Sequence, residues 1–230
     1  MLILVCGTNA NDVPISVGRP RFFYDLRNCY LDHRYFCELG GMYTLWKQVN
    51  TDIVGLEHYR RFFTDNNADP GTILNERQIK EILSSHDIIM SPNHLRAVNV
   101  MTWMAQEKHN PNASTDTIVK EMLFKWFMYL RDRYSSELVD YACNRMLTTR
   151  DYYGCNMFIG NKRVTDDYAQ FLFPMLEKFT VDVMHGKYEQ RLYGYLSEYT
   201  MGFWMEWRGY DIHSTSKVTL NGKPTAVAVG

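Results

Sequence analysis

The chain has 230 residues, of which 46% are hydrophobic and 14% aromatic, with 25 Lys and Arg against 26 Asp and Glu. Because so many aromatic residues require a core, this composition excludes intrinsic disorder, and the net charge of −1 lacks the basic excess typical of nucleic-acid-binding domains. The length favours one large domain over two small ones.

The cysteines and the apolar segments indicate the compartment. The five cysteines are Cys6, Cys29, Cys37, Cys143 and Cys155. They form no CxxC pair, so the sequence offers neither a zinc knuckle nor a thioredoxin-type motif, and we expect reduced thiols. The apolar start at 2–6 lacks the positive flank and the length of a signal peptide, and no apolar run approaches the roughly 20 residues that span a bilayer. These features predict a cytoplasmic protein.

The first half of the chain is predicted to alternate between strands and helices. The predicted strands are 2–5, 13–17, 53–56 and 87–90, and the predicted helices are 36–49, 75–84 and about 100–107. The continuous apolar runs of the first and third strands are typical of a sheet that is covered on both faces. Asn75 and Gln78 have the spacing of a capping box, which predicts the start of a helix.

The second half is predicted to be mainly helical. Its predicted helices begin near 114, 135, 165 and 188, the last ending at 207, and one strand is predicted at 153–160. Asn221 and Gly222 form a hairpin-turn pattern. Since strands alternate with helices and no linker interrupts them, we predict an α/β fold in a single domain over 1–230, with a core at about 1–209 and a C-terminal hairpin at 210–230.

The sharpest chemical motif is Gly-Leu-Glu-His-Tyr-Arg-Arg-Phe-Phe at 55–63. Polar side chains that follow a buried strand lie at the edge where α/β sheets bind ligands. Arg60 and Arg61 there carry permanent, forked positive charge suited to a diphosphate. The alternative is an exposed arginine pair on an edge strand, and the residues alone do not decide between the two.

Several common catalytic motifs are absent from the sequence. Without GxGxxG, GxxxxGK[ST] or GxSxG, it supports neither a dinucleotide-binding fold, nor a P-loop enzyme, nor a serine hydrolase. The seven histidines are isolated from one another. No two carboxylates are separated by a single residue, so the Asp-x-Asp clamp that binds a metal in many nucleotide-sugar enzymes does not occur.

Four charged or polar residues stand in apolar surroundings. Arg191 and Glu198 are seven residues apart and are predicted to share one face of the last helix, either as a buried structural ion pair or as part of a site. Glu38, between Cys37 and an apolar residue, leaves the same alternatives open. Asn156 lies inside an apolar strand and must find a hydrogen-bond partner, which is the neighbouring backbone if its role is structural.

Six segments, taken together and in order, resemble one family. They are residues 35–39, 43–47, 53–63, 87–89, 156–159 and 191–198. The chain resembles the capsular and exopolysaccharide biosynthesis glycosyltransferase family, long catalogued as a domain of unknown function, from about residue 2 to 207. The His-Tyr-Arg-Arg block at 58–61 is the most specific part of the resemblance.

The resemblance implies a single-domain GT-A-like fold, a Rossmann-type nucleotide-sugar-binding domain with a mostly parallel central sheet flanked by helices. It implies a glycosyltransferase that moves a sugar, with hexoses and galactofuranose among the donors, from a nucleotide-diphosphate sugar to a saccharide or lipid-linked acceptor. The product would be a capsule, exopolysaccharide or O-antigen. The implied place is the cytoplasm, with peripheral association at the inner face of the membrane where the acceptor is lipid-linked. No nucleic-acid partner is expected, because acids interleave the arginines.

The resemblance also implies site residues. The donor-binding residues are His58 and Tyr59, which shape the pocket, Arg60 and Arg61, which bind the diphosphate, and Asn28 and Glu38. The catalytic residues are Glu198, as the base or a sugar-hydroxyl ligand, Arg191, which holds it, and Asn156, which faces the sugar or the acceptor. The 58–61 block stands where GT-A enzymes place Asp-x-Asp, so we expect no divalent metal and no other cofactor. The alternative function is a catalytically inactive carbohydrate- or nucleotide-sugar-binding protein of the same fold.

Overall fold

The computed structural model describes residues 1–8, 22–65, 72–95, 98–106 and 113–220. The strands are β1 Leu2–Gly7, β2 Phe22–Asp25, β3 Ile53–His58, β4 Arg61–Phe63, β5 Ile88–Met90, β6 Asn93–His94, β7 Asp151–Tyr152, β8 Phe158–Asn161, β9 Ile212–Ser214 and β10 Lys217–Thr219. The helices are α1 His33–Phe36, α2 Leu39–Gln48, α3 Glu76–Leu83, α4 Val100–Gln106, α5 Ala113–Arg133, α6 Ser136–Thr148, α7 Lys162–Asp182 and α8 Leu192–Trp207. A short 3-10 helix, Leu26–Asn28, follows β2.

In the described residues, eight strands form one central sheet, and β6 pairs with β7 beside it. Strand β1 runs parallel to both β2 and β3, and β9 runs parallel to β5. Strand β8 lies antiparallel between β3 and β5, while β4 is antiparallel to β3 and to β10. Six of these strands therefore point in one direction and only β4 and β8 oppose them, which confirms the predicted α/β fold with a mostly parallel central sheet.

Both faces of the sheet are covered, as the continuous apolar strands predicted. Leu4 and Leu56 belong to a large core shared with α2 and α5 to α8, whereas Ile3 and Ile89 belong to a smaller core under α3. Adjacent residues of a strand face opposite sides, so one apolar run supplies both cores. The sheet is thereby fixed between two layers, and its strand ends are the edges left open for a site.

Most predicted elements are found, and the departures lie near the site. The capping box of α3 is present, since Gln78 N donates to Asn75 Oδ1 at 3.0 Å and Asn75 N donates to Gln78 Oε1 at 2.8 Å. The predicted helix at 36–49 is interrupted at Cys37, whose φ of 50° separates α1 from α2. The predicted strand at 153–160 is shorter, because Cys155 and Asn156 adopt left-handed conformations before β8 begins.

The C-terminal segment differs from the predicted division into a core and a separate hairpin. Strand β9 pairs with β5 and β10 pairs with β4, so residues 210–220 complete the central sheet. The predicted Asn-Gly turn at 221–222 and the predicted strand at 13–17 lie outside the described residues. Within the described ranges, no helix combines the length and the apolar character that crossing a membrane requires.

Candidate functional site

A cleft of about 610 Å³ opens at the sheet edge where β1, β3 and β10 end. It is lined by residues 6–8 at the end of β1, 58–61 at the end of β3, parts of 26–38 around α1, 190–191 and 198 at α8, and 219 at the end of β10. This volume is within the range of about 300–1,000 Å³ typical of small-molecule sites. The cleft includes most of the residues that the sequence singled out.

The motif at 55–63 forms a tight hairpin between β3 and β4. The buried Glu57 carboxylate accepts a hydrogen bond from Phe63 N at 3.0 Å, and this bond joins the two strands. Tyr59 N donates to Cys6 O at 3.0 Å, which holds the turn against the end of β1. The polar block is therefore a turn at the rim of the cleft and not the continuation of a strand.

The hairpin separates the two arginines. Arg61 is half-buried, and its Nη1 lies 3.3 Å from His58 Nδ1 and 3.2 Å from Cys155 Sγ. Arg60 is exposed, with its guanidinium 4.6 Å from the centre of the Tyr59 ring. Arg61 is thus held in place at the rim by His58 and Cys155, while Arg60 presents its charge to solvent.

The hydrogen bonds of His58 assign its tautomer. Its Nε2 is 2.7 Å from the carbonyl oxygen of Cys155, which can only accept, so Nε2 carries the proton. Its Nδ1 then accepts from Arg61. Burial lowers the pKa of His58, opposed by the nearby Glu38 carboxylate, and the imidazole is neutral near pH 7.

Asn156 is buried behind the cleft. Its side chain is 1% exposed, and Nδ2 donates to Glu38 Oε1 at 2.7 Å and to Gly194 O at 3.0 Å. The prediction that Asn156 faces the sugar or the acceptor is wrong, because this side chain does not reach the cleft surface. It holds the Glu38 carboxylate in place instead.

Glu198 lies on the floor of the cleft, and a backbone hydrogen bond from Cys155 reaches its carboxylate. Burial and the negative charge of Glu38 raise the pKa of Glu198 to about 8, and the positive charge of Arg191 opposes this shift. At pH 7 the Glu198 carboxyl is therefore mainly protonated in the protein without ligands.

Arg191 does not hold Glu198 as predicted. It is the N-cap residue of α8, with a φ of 60°, and its backbone N donates to Arg34 O at 2.8 Å. Its guanidinium hydrogen-bonds Cys37 and lies 5.5 Å from the centre of the Tyr195 ring. Among the described side chains no ion pair within 4.0 Å joins Arg191 to Glu198, so the two groups interact only by longer-range electrostatics.

The backbone around the cleft is strained. Five non-glycine residues in the described ranges have a positive φ, and four of them, Cys37, Cys155, Asn156 and Arg191, surround the cleft. Such conformations cost about 1–3 kcal/mol each and cluster at functional sites. Asparagine at 156 is the one sequence signal for this feature, because asparagine tolerates the left-handed region better than cysteine or arginine.

Close packing of α1 against α8 also shapes the floor. A Cβ placed on Gly194 would lie 3.0 Å from Cys37 Sγ, so glycine allows this close approach without a displacement of Cys37. Asn28, in contrast, is exposed on the 3-10 helix and does not line the cleft, which removes the predicted donor contact. In the described part of the chain, no group of three or more His, Cys, Asp or Glu side chains is arranged to hold a metal.

The comparisons with known proteins agree with this architecture. The model of a family described as a domain of unknown function (DUF4422) matches residues 28–209. The apo structure of the bifunctional glycosyltransferase WbbM is similar to this chain, with a TM-score of 0.72 and 16% identity over 100% of this chain and 47% of that one. The chain spans less than half the length of that protein, and at this identity the similarity shows the fold alone. No curated protein matches the chain.

Proposed function

Since the chain belongs to the DUF4422 family, we propose that it is a glycosyltransferase that moves a sugar from a nucleotide-diphosphate sugar to a saccharide or lipid-linked acceptor. One observation carries this proposal: the cleft combines an arginine rim with two carboxyl groups on its floor. A diphosphate needs fixed positive charge, and a sugar with its attacking hydroxyl needs hydrogen-bonding groups nearby.

The rim binds the diphosphate in this proposal. The exposed guanidinium of Arg60 reaches the phosphate oxygens, and Arg61, fixed by His58 and Cys155, stabilises the negative charge that grows as the leaving group departs. Tyr59 and His58 shape the wall between phosphate and sugar. Arg34 contributes less, because Asp32 already engages its guanidinium at 2.6 Å.

The floor supplies the catalytic base. An acceptor oxygen attacks the anomeric carbon, the bond from that carbon to the phosphate oxygen breaks, and its electron pair leaves with the diphosphate. The acceptor proton passes to the ionised Glu198 carboxylate. Glu38, held by Asn156, accepts hydrogen bonds from sugar hydroxyls. General-base assistance of this kind contributes about 10²–10⁴-fold to a rate.

The biological setting belongs to the same proposal. We place the reaction in the synthesis of a capsule, exopolysaccharide or O-antigen, in the cytoplasm, with peripheral contact at the inner membrane face where the acceptor is lipid-linked. The family resemblance at 58–61 supports this setting. No divalent metal takes part, since two arginines supply the charge that a cation would otherwise bring.

A second candidate is a binding protein that has lost turnover. The raised pKa of Glu198 favours it, because a base that is mainly protonated near pH 7 removes few protons. The two candidates differ in a direct test. Purified protein is incubated with a panel of nucleotide sugars, and release of nucleoside diphosphate is measured between pH 6 and pH 9 with and without saccharide acceptors.

The matched variants are Arg60→Ala at the rim and Arg77→Ala on α3, whose side chain is 82% exposed and outside the cleft. We expect donor-dependent release for the wild type and Arg77→Ala, and a loss of at least about 100-fold for Arg60→Ala. Donor binding without release at every pH would support the binding protein. No binding of any nucleotide sugar would contradict the glycosyltransferase and would leave, of the second candidate, only a protein that binds carbohydrate.

A further inference from the structure

A second concave surface lies on the other side of α1 from the cleft. It encloses about 660 Å³, and its floor is aromatic. Its ring-bearing lining residues are Tyr30, Phe36, Tyr43, Trp46, Phe173 and Tyr188. We call this surface the aromatic groove.

The rings of the aromatic groove are fixed against one another. Tyr30 stacks on Tyr43 with centroids 5.3 Å apart and planes at 10°, and Trp46 stacks on Phe173 at 5.6 Å and 9°. Tyr43 also meets Phe173 edge-on at 5.1 Å. Such contacts stabilise the ring pairs beyond simple burial, so the platform keeps its shape without a ligand.

Two of these rings are exposed to solvent although they pack against other rings. Tyr30 is 80% exposed and Tyr188 is 50% exposed, and both line the groove. Tyr30 uses one face to stack on Tyr43, which leaves its other face to solvent. Exposed apolar surface gathered in a concavity is typical of a binding site, whereas single exposed apolar residues are ordinary.

The lining chemistry identifies the class of ligand. A pyranose ring has apolar C–H faces with slight positive charge, which match the negative face of an aromatic ring, and hydroxyls around its edge. Lys47 and Glu177 stand exposed at the groove and offer a hydrogen-bond donor and an acceptor of opposite charge. Their charges cancel, and the concave shape excludes a flat bilayer, so an anionic membrane surface fits less well.

Two short segments of the chain line the aromatic groove with one side chain and the cleft with another. In α1, Phe36 lines the groove while Arg34 lines the cleft. Before α8, Tyr188 lines the groove while Gln190 lines the cleft. The groove and the cleft are thus separated only by these two segments, and a chain of sugar units that starts at the cleft and passes over them would enter the groove.

We propose that the aromatic groove binds the saccharide chain of the acceptor, at units distant from the reacting end, by stacking sugar rings on Tyr30 and Tyr188. That this saccharide is the acceptor depends on the proposed function, whereas the binding of a saccharide by the groove does not. The groove would make longer acceptors better substrates than monosaccharides, since binding remote from the reacting atoms strengthens recognition.

Saccharide binding is tested without any nucleotide sugar. Trp46 lines the groove and reports occupancy by its fluorescence, and the probes are maltohexaose, cellohexaose and a galactan hexasaccharide. We expect saturable binding of at least one probe, weakened at least tenfold by Tyr30→Ala or Tyr188→Ala and retained by Tyr30→Phe. Phe124→Ala, which removes an aromatic side chain that is 69% exposed and lies outside the groove, is the matched control.

The outcomes separate this inference from the proposed function. If Arg60→Ala abolishes nucleotide-sugar binding and leaves hexasaccharide binding intact, the groove is an independent site and the inference stands, whether or not transfer is detected. Transfer to hexasaccharides that Tyr30→Ala and Tyr188→Ala leave unchanged would overturn it. The inference would also be overturned if no hexasaccharide binds. It would likewise be overturned if the protein binds no hexasaccharide and instead sediments, in a Tyr30-dependent way, with vesicles of phosphatidylglycerol and phosphatidylcholine.

Discussion

The helices that cover the sheet (α2, α3 and α5 to α8, here called the helical layer) and the sheet edge at the cleft are built on different principles. In the helical layer, Trp126 and Trp204 are fully buried, and Trp126 Nε1 donates to Thr200 Oγ1 at 2.8 Å. Helices there begin at ordinary caps such as Ser135, whose Oγ accepts from Leu138 N. At the cleft edge, four non-glycine residues take left-handed conformations around buried or half-buried carboxyl groups.

The two regions contribute to the free energy of folding with opposite signs. Apolar burial in the helical layer contributes about 25 cal/mol for each Å² removed from water. Left-handed backbone and desolvated carboxyls at the cleft work against folding and persist only because the surrounding packing holds them. Changes in the two regions should therefore have opposite signatures: loss of activity with little loss of stability at the cleft, and the reverse in the helical layer.

The largest expected effect is that of Glu198→Gln on transfer. We expect a loss of about 10²–10⁴-fold, because the amide cannot take the acceptor proton, while the donor still binds. For the wild type, kcat/KM should rise with pH through the pKa of about 8 given by burial and Glu38, as the carboxylate ionises. Initial rates between pH 6 and pH 9.5 measure both effects.

A control on the same helix makes this test specific. Glu206 is ion-paired with Arg145 at 3.0 Å near the other end of α8 and does not line the cleft. Glu206→Gln should keep the wild-type pH profile. A wild-type rate in Glu198→Gln would exclude Glu198 as the base, and a Glu198→Gln protein that fails to fold would show that its role is structural.

The next effect is on stability, in the helical layer. Leu172 is fully buried between α7 and the rest of the large core. Leu172→Ala should lower the free energy of unfolding by about 2–5 kcal/mol, through lost burial and a residual cavity. Denaturant unfolding measures this, and KM for the donor should stay unchanged below the unfolding transition. A changed KM would mean that the two regions are coupled.

The sequence predicted the helical layer better than the cleft, for a physical reason. Helix periodicity and caps such as Asn75 with Gln78 act within a few residues, so a local pattern reveals them. The turn at Tyr59 and Arg60 has none of the glycine, asparagine or proline that mark turns. It is held by a hydrogen bond to Cys6, far away in the sequence, so the local pattern could not show which of the two arginines would be half-buried.

The same limit applies to the last helix. The spacing of Arg191 and Glu198 predicted that they share one face of the helix, and in the structure both line the cleft. It failed for their ion pair, since Arg191 is bound through its backbone to Arg34 before the helix begins. The contact between Arg191 and Arg34 joins segments that are far apart in the sequence and sets the direction of the Arg191 side chain. Residue spacing within one helix cannot reveal such a contact.

A smaller effect concerns the cost of keeping Glu198 in the cleft. Its folded-state pKa, raised to about 8, exceeds the ordinary glutamate pKa of 4.5, so its contribution to stability is full below about pH 4.5 and is lost as pH rises through about 8. Glu198→Gln removes this dependence. At pH 9 the variant should be more stable than the wild type by at least about 1.4 kcal/mol, the equivalent of one pKa unit.

Thermal and urea unfolding at pH 4.5 and pH 9 measure the dependence on Glu198. The two proteins should differ little at the lower pH, where the carboxyl is protonated in the folded state and about half protonated in the unfolded state. A variant less stable than the wild type at pH 9 would contradict the raised pKa. It would also indicate that the ionised carboxylate is well satisfied in the folded protein and contributes to its stability.

The smallest expected effect is that of removing divalent cations, which we expect to leave transfer unchanged. The charge of a departing diphosphate must be stabilised, and Arg60 and Arg61 bring two fixed positive charges to the rim of the cleft. The two carboxyls on its floor are poor metal ligands as they stand, because Asn156 donates a hydrogen bond to Glu38 and burial keeps Glu198 mainly protonated at pH 7.

Rates in excess EDTA should equal those in Mn²⁺. The rate of Arg60→Lys should fall below that of the wild type in both, because an ammonium cannot bind two phosphate oxygens as a fork. Activity that EDTA abolishes and Mn²⁺ restores would show that the arginines do not replace a cation, and the cleft would then need an acidic ligand that becomes available only when the donor is bound.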